Sequence, residues 1–139
     1  MTTSTLSPKT AKQELDRIEK QMRGADPKKI LGWCVSNIPT GLVLSSTFSI
    51  DDLVITDILY RALKAITPVP VIFLDTLHHF PETLELVETA KIIYKLDLRV
   101  FQPDVTSKQA FAIKYGSALW EKDVELFHYL TKTRPLAKP

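Results

Sequence analysis

The feature that most restricts what this chain can fold into is its alternation of short apolar runs with longer stretches of helical periodicity. Val71-Ile72-Phe73-Leu74 is an unbroken apolar run closed by Pro70 on one side and Asp75 on the other. Such a run, without polar alternation, is typical of a strand buried on both faces in a parallel sheet. Leu42-Val43-Leu44 and Leu98-Arg99-Val100-Phe101 read as a first and a third strand. Between the first two, Leu53 to Ile66 places Val54, Ile58, Ala62 and Ala65 along one helical line, with Leu59, Leu63 and Ile66 beside it. Apolar residues covering that much circumference predict a well-buried helix. Pro81 opens a second crossover helix, with Leu86, Ala90 and Ile93 at helical spacing. Strands and helices alternating in this way predict an α/β fold, a parallel sheet flanked by helices and joined by right-handed crossovers. Three strands make a small sheet, so further strands after Pro139, or a partner along an open edge, are expected.

The flanking regions read as helices. Residues 1–8 are rich in Ser and Thr and are expected to form a mobile tail. Lys9 to Arg23 carries Ala11, Leu15, Ile18 and Met22 on one face, and Gly24 is a natural stop. Asp26-Pro27 then supplies an N-cap and a proline at the first helical position. Ile30, Leu31, Cys34, Val35 and Ile38 make the apolar face of that second helix, which Pro39-Thr40-Gly41 breaks. Ser107 to Leu130 is helical in pattern, interrupted near Tyr115-Gly116.

Composition narrows the function classes. The chain has 139 residues, enough for one domain and one core. Its net charge is +2 with Lys and Arg scattered, which leaves no electrostatic footprint for nucleic acid. No apolar run approaches the ~20 residues that span a bilayer, and the start lacks the apolar core of a secretory signal. A single cysteine, Cys34, excludes an internal disulfide and any C-x-x-C site. Its place on an apolar helix face reads as a buried structural thiol. A reducing, cytoplasmic setting fits best.

In open α/β sheets, ligands bind at the carboxyl ends of the strands. Two segments fall there. The first is Ser45-Ser46-Thr47-Phe48-Ser49-Ile50-Asp51-Asp52, whose hydroxyls and following helix N–H groups can hold an anion. The same residues fit a capping box, with Ser49 as N-cap and Asp52 three residues on, and the two readings are compatible. Asp51 and Asp52 count against a strong anion site. The helix end carries only about half a positive charge, which two carboxylates satisfy unless they point away.

The second segment, Asp75-Thr76, is a polar pair ending the most apolar strand, and is the best single candidate for ligand contact. His78 and His79 beside Asp75 invite a metal, but a convincing site needs three or four converging ligands, so a loop role near the ligand, or solvent exposure, is preferred. Tyr115 and Trp120 read as core aromatics in preference to base-stacking ones. Lys114, Lys122 and Lys132 read as solvated surface in preference to phosphate ligands.

Four segments together bring a family into view. Leu74-Asp75-Thr76-Leu77-His78-His79-Phe80-Pro81-Glu82-Thr83-Leu84 resembles the "(I/L)DT…FPET" motif of phosphoadenylyl-sulfate (PAPS) reductases, most closely the fungal form with paired histidines. Ser45-Ser46-Thr47-Phe48-Ser49 resembles that family's modified PP-loop, S-S-F-G. Lys114 to Asp123 resembles its "KYG..LWEKD", and Tyr129 to Leu136 its "Y…KVEPL". The resemblance covers about Ile30 to the end, in the right order.

It implies an adenine-nucleotide α-hydrolase-like fold, apparently truncated, with residues 1–25 a tail and helix and 26–139 a partial nucleotide-binding domain. It implies nucleotide contacts from Ser45, Ser46, Thr47, Phe48, Ser49, Asp75 and Thr76. The ligands would be PAPS or adenosine 3′,5′-bisphosphate, and the reductant thioredoxin or glutaredoxin acting on the full-length form. In that chemistry a cysteine thiolate attacks the sulfur of PAPS, and the reductant then releases sulfite. Members are commonly dimers, so a homodimer is the implied assembly.

The departures from the pattern matter equally. The family's nucleophile lies in a C-terminal "ECG(I/L)H" segment, and an arginine-rich segment grips the phosphates; neither is present here. No catalytic residue is therefore assigned. Leu126-Phe127-His128-Tyr129-Leu130 stands where adenylyl-sulfate (APS) reductases carry the cysteines of an iron–sulfur cluster, so neither a cluster nor any bound cofactor is expected. Ser49 replaces the glycine of S-F-G, where positive φ and close ligand approach are expected. Arg134 replaces the Glu of K-V-E-P and reverses a charge. Three readings follow: part of a thioredoxin-dependent PAPS reductase, a short paralogue that binds a nucleotide or a reductase subunit without chemistry, or a remnant with no ligand.

Overall fold

The computed structural model describes residues 7–63 and 68–138. Most of the expected N-terminal tail, and Ala65, Ile66 and Thr67 of the first crossover, lie outside the described residues.

Helix α1 spans Pro8–Met22 and α2 spans Pro27–Asn37, each with a proline in its first turn. Ser7 and Asp26 are their N-caps, accepting from the backbone N–H of Thr10 and Lys29. Helix α1 is thus one residue longer at its start than the periodicity predicts. Cys34 is half-buried on α2, less enclosed than expected, because α2 carries no fully buried residue.

The sheet is parallel, in the order β1-β2-β3, with β1 Leu44–Ser45, β2 Val71–Leu74 and β3 Leu98–Phe101. Strand β1 is shorter than Leu42-Val43-Leu44 implies and displaced along the chain. Pairing of Leu44 with Val71 and Ser45 with Ile72 sets its register, and Val43 stays largely exposed outside it. Ser45 therefore belongs to the strand and not to the loop after it. Among the described residues, nothing pairs with the outer edges of β1 and β3.

The two crossover helices lie on one face of the sheet. Helix α3 (Ile50–Asp57) runs into a π-helical turn, Ile58–Ala62, and α4 spans Pro81–Tyr94. Leu53 and Tyr60 from the first crossover, and Val87, Ala90 and Tyr94 from α4, pack with Leu44, Val71, Phe73 and Leu98. These strand residues alternate along β2 and share a register line at Leu44, Val71 and Leu98, so they point to the same side. Each fully buried Val or Phe side chain here contributes about 1.5–3 kcal/mol of burial.

The first crossover helix is less buried than predicted: among its described residues only Thr56 and Leu59 are fully enclosed, and Val54 and Ala62 are exposed. A sheet this narrow covers one side of a helix, and α2 meets it only near its end, at the π-helical turn and Leu63.

After β3 come α5 (Lys108–Tyr115), α6 (Leu119–Lys122) and α7 (Val124–His128), the last continuing through a π-helical turn, Tyr129–Thr133, into α8 (Arg134–Leu136). The predicted break falls at Gly116, whose φ of 98° ends α5 in a conformation that side chains rarely adopt. Phe111, Leu119 and Leu130 form a second, smaller core, with Val105, Tyr115 and Phe127 packed on it.

Candidate nucleotide site at the carboxyl ends of the strands

Because the strands are parallel, the segments after β1, β2 and β3 emerge at one end of the sheet. The loop after β1 is Ser46 to Ser49. Ser46 is buried and its Oγ accepts from the Phe48 N–H at 3.0 Å. That short turn holds Phe48 at φ 59°, a left-handed conformation uncommon for a bulky residue. The Phe48 ring is itself buried, edge-on against Phe73 with centroids 5.5 Å apart. Of the predicted contacts, Phe48 therefore leaves only its main chain for a ligand.

The left-handed residue in this loop is Phe48, and Ser49 has φ −65°. The replacement of glycine at Ser49 thus costs no backbone strain, contrary to the expectation from the family pattern. Ser49 is the N-cap of α3, and its Oγ lies 3.5 Å from the Asp52 N–H.

The other half of the expected capping box is redirected. Both the Thr47 N–H and the Thr47 hydroxyl donate to Asp52 Oδ2, each at 2.7 Å. Burial tends to raise the Asp52 pKa, but the hydrogen bonds from Thr47 and Ser49 outweigh it and hold the carboxyl below its usual range. The Asp52 carboxylate therefore points into the loop, whereas Asp51 is exposed.

The loop after β2 repeats the same local device. Asp75 Oδ1 accepts from the Leu77 N–H at 2.9 Å, and Thr76 Oγ1 from the His78 N–H at 3.3 Å. Leu77 sits at φ 67°. Left-handed non-glycine residues in two adjoining loops cost of order 1–3 kcal/mol each and tend to occur where ligands are clamped.

His78 and His79 are half-buried and pack against core aromatics. The His78 ring packs edge-on against Phe111, Trp120 and Phe127, and its Nδ1 lies 2.6 Å from the Thr76 carbonyl oxygen. The His79 ring stacks on Phe73, and its Nε2 lies 3.0 Å from the Leu74 carbonyl oxygen. Tyr115 packs on the second core as expected, whereas Trp120 touches the same aromatic cluster but is 40% exposed and is not a core residue. Among the described residues, no three His, Cys, Asp or Glu side chains converge as a metal site.

The loop after β3 supplies residues that the sequence reading did not single out. Gln102 Nε2 donates to Asp75 Oδ2 at 2.9 Å and joins the second loop to the third. Asp104 accepts from Lys114 Nζ at 2.8 Å and from the Tyr115 hydroxyl at 2.8 and 3.0 Å, and Arg134 Nη2 stands 3.4 Å away. Hydrogen bonds from Lys114 and then Tyr115 draw the Asp104 pKa from 3.8 down to about 2. Lys114 is thus a structural ion-pair partner, and Arg134, despite the reversed charge, shares the same carboxylate. The strand-end rule applied to the third strand as well would have found Asp104.

Cys34 belongs to the opposite end. Its neighbours Val35 and Ser36 line a groove of about 820 Å³ together with Pro70 and Asp97, the residues just before β2 and β3. A strand as long as β2, ~13 Å, separates that end from the loops described above.

Comparison with known proteins agrees with this geometry. The phosphoadenosine phosphosulfate reductase domain family matches residues 41–139, which include all three loops. The chain belongs to that family. Within it, the phosphoadenosine phosphosulfate reductase of Emericella nidulans is 39% identical over 127 residues, covering 89% of this chain and 41% of the relative. An adenosine 5′-phosphosulfate reductase from Oceanobacillus iheyensis is 33% identical over 109 residues, covering 78% of this chain and 44% of the relative. The crystal structure of PAPS reductase from Candida auris in its phosphate complex superposes with a TM-score of 0.78 at 32% identity, covering 95% of this chain and 61% of that one. Its fold is therefore that of the PAPS reductases. The chain spans about half the length of the curated relatives it matches.

Proposed function

We propose that this chain is the nucleotide-binding part of a PAPS reductase, holding PAPS or adenosine 3′,5′-bisphosphate across the first two strand-end loops. One observation carries the reading: two polar loops, each built around a left-handed residue, meet at the carboxyl end of a parallel sheet in a chain that superposes on a PAPS reductase. Ser45, Ser46, Thr47, Ser49, the Phe48 main chain, Asp75 and Thr76 are the proposed contacts. An apolar hollow of about 320 Å³, lined by Leu74 at the end of β2 with Lys132, Thr133, Leu136 and Ala137, has room for a flat base.

The reaction of the whole protein is reduction of PAPS to sulfite and adenosine 3′,5′-bisphosphate in a cytosolic sulfate-assimilation route. A thiolate displaces the nucleotide from sulfur: the S–O bond breaks, an S–S bond forms, and thioredoxin or glutaredoxin reduces the resulting S-sulfocysteine. Cys34 is half-buried at the wrong end of the strands for that attack. The thiolate is therefore assigned to the part of the family's length that this chain does not span. The domain is residues 26–139, preceded by the tail and α1, and the assembly is a homodimer.

The position of Cys34 also favours a second reading, a chain that binds the nucleotide or a reductase subunit without performing chemistry. Calorimetry with adenosine 3′,5′-bisphosphate tests the nucleotide claim: a Kd below millimolar is expected, and no binding at millimolar ligand would sink the first reading and leave of the second only a chain that binds a reductase subunit. Sulfite formation from PAPS by this chain and thioredoxin alone would show that the nucleophile had been misassigned.

A further inference from the structure

The loop after β1 already holds an anion of its own. Asp52 takes both donors of Thr47, its N–H and its hydroxyl, at 2.7 Å each. The N–H of Phe48 is committed to Ser46 Oγ. The Asp52 N–H faces Ser49 Oγ at 3.5 Å, and the Leu53 N–H donates to the Ser49 carbonyl. Of the donors this segment would offer a phosphate or sulfate, both of Thr47 are held by a carboxylate and the N–H of Phe48 by a hydroxyl, while the N–H groups of Ile50 and Asp51 have no hydrogen-bond partner among the described residues. Thr56 fixes the turn that carries it, donating from its buried Oγ1 to the Asp52 carbonyl at 2.8 Å.

An incoming anion meets one of two obstacles. It either displaces Asp52 from Thr47, or it binds the remaining helix N–H groups next to a full negative charge. Both weaken anion binding, and both act on the charged part of a ligand only. From these contacts we propose that Asp52 is an internal competitor for the anionic group of the nucleotide, so that occupancy of the loop is an exchange between a resident carboxylate and the ligand. This rests on the first loop being part of the nucleotide site. Asp52 is a positioning residue for the empty loop and sets how tightly the loop takes an anion.

The test compares adenosine 3′,5′-bisphosphate with uncharged adenosine on the full chain. Asp52→Asn keeps a hydrogen-bond acceptor for Thr47 and removes the charge; it is expected to tighten bisphosphate binding about tenfold and leave adenosine binding within about twofold. Asp51→Asn removes the same charge from an exposed position with no hydrogen bond to the loop among the described residues, and is expected to change bisphosphate affinity by less than about twofold. Should Asp52→Asn fail to fold by circular dichroism, Asp52→Ser serves as the smaller neutral variant. Wild-type binding with equal or weaker binding by the neutral variant overturns the competitor role and leaves the nucleotide site standing. Equal tightening of adenosine and bisphosphate also overturns it, since charge would not be the cause. Absence of bisphosphate binding by both proteins overturns the nucleotide site itself.

Discussion

The loop after β1 and the pair of loops after β2 and β3 occupy the same end of one sheet, yet they are closed in different ways. The side-chain hydrogen bonds of the first come from within: Ser46 to Phe48, Thr47 to Asp52 and Ser49 to Asp52 are all contacts between residues at most five apart. The second has local turns of the same kind at Asp75 and Thr76, but it and the third are also tied by partners more distant in sequence. Gln102 reaches back to Asp75, and Asp104 gathers Lys114, Tyr115 and Arg134 from two later helical segments. The difference teaches where ligand response resides. A locally closed loop can open by moving one side chain, while loops joined through a network shift only together with the C-terminal helices.

Three measurements would break or sharpen that contrast. The largest effect is expected at the anchor of the first loop. Phe48 is 3% exposed and sits edge-on to Phe73, so Phe48→Ala should cost about 3–5 kcal/mol in urea unfolding. A loss under ~1 kcal/mol would mean that the loop is not pinned by its ring.

An intermediate effect is expected at Asp104. Its folded-state pKa of about 2 lies below the ordinary 3.8, so its ionised form favours the folded chain. That stabilisation is complete above about pH 4 and is lost as pH falls toward about 2. Asp104→Asn lacks it, and its melting temperature should fall less steeply than wild type between pH 5 and pH 2. Parallel curves for the two proteins would show that the network does not join the third loop to the helices in solution.

The smallest effect is expected at Ser49. With φ −65° it is an ordinary N-cap, for which glycine costs only a few tenths of a kcal/mol. Ser49→Gly should therefore move the unfolding midpoint barely beyond error. A stabilisation above ~1 kcal/mol would reveal strain at Ser49 that its backbone angles do not show.

The amino-acid sequence by itself determined the α/β class, the strand and helix order, the N-caps at Asp26 and Ser49, the break at Gly116 and the two polar loops at the strand ends. All of these follow from periodicity and from contacts within a few residues, which the order of side chains specifies directly. The family motifs were legible for the same reason, since each is a short contiguous run.

Only the tertiary structure decided that Phe48, not Ser49, takes the left-handed conformation, that Asp52 turns into the loop, and that His78 and His79 pack against core aromatics. It also decided that Arg134 finds Asp104 and that Val54 stays exposed on a helix whose pattern implied burial. These outcomes depend on which surfaces the sheet brings together and how wide it is. A single strand order positions residues that are far apart in the chain, and no local pattern encodes that encounter.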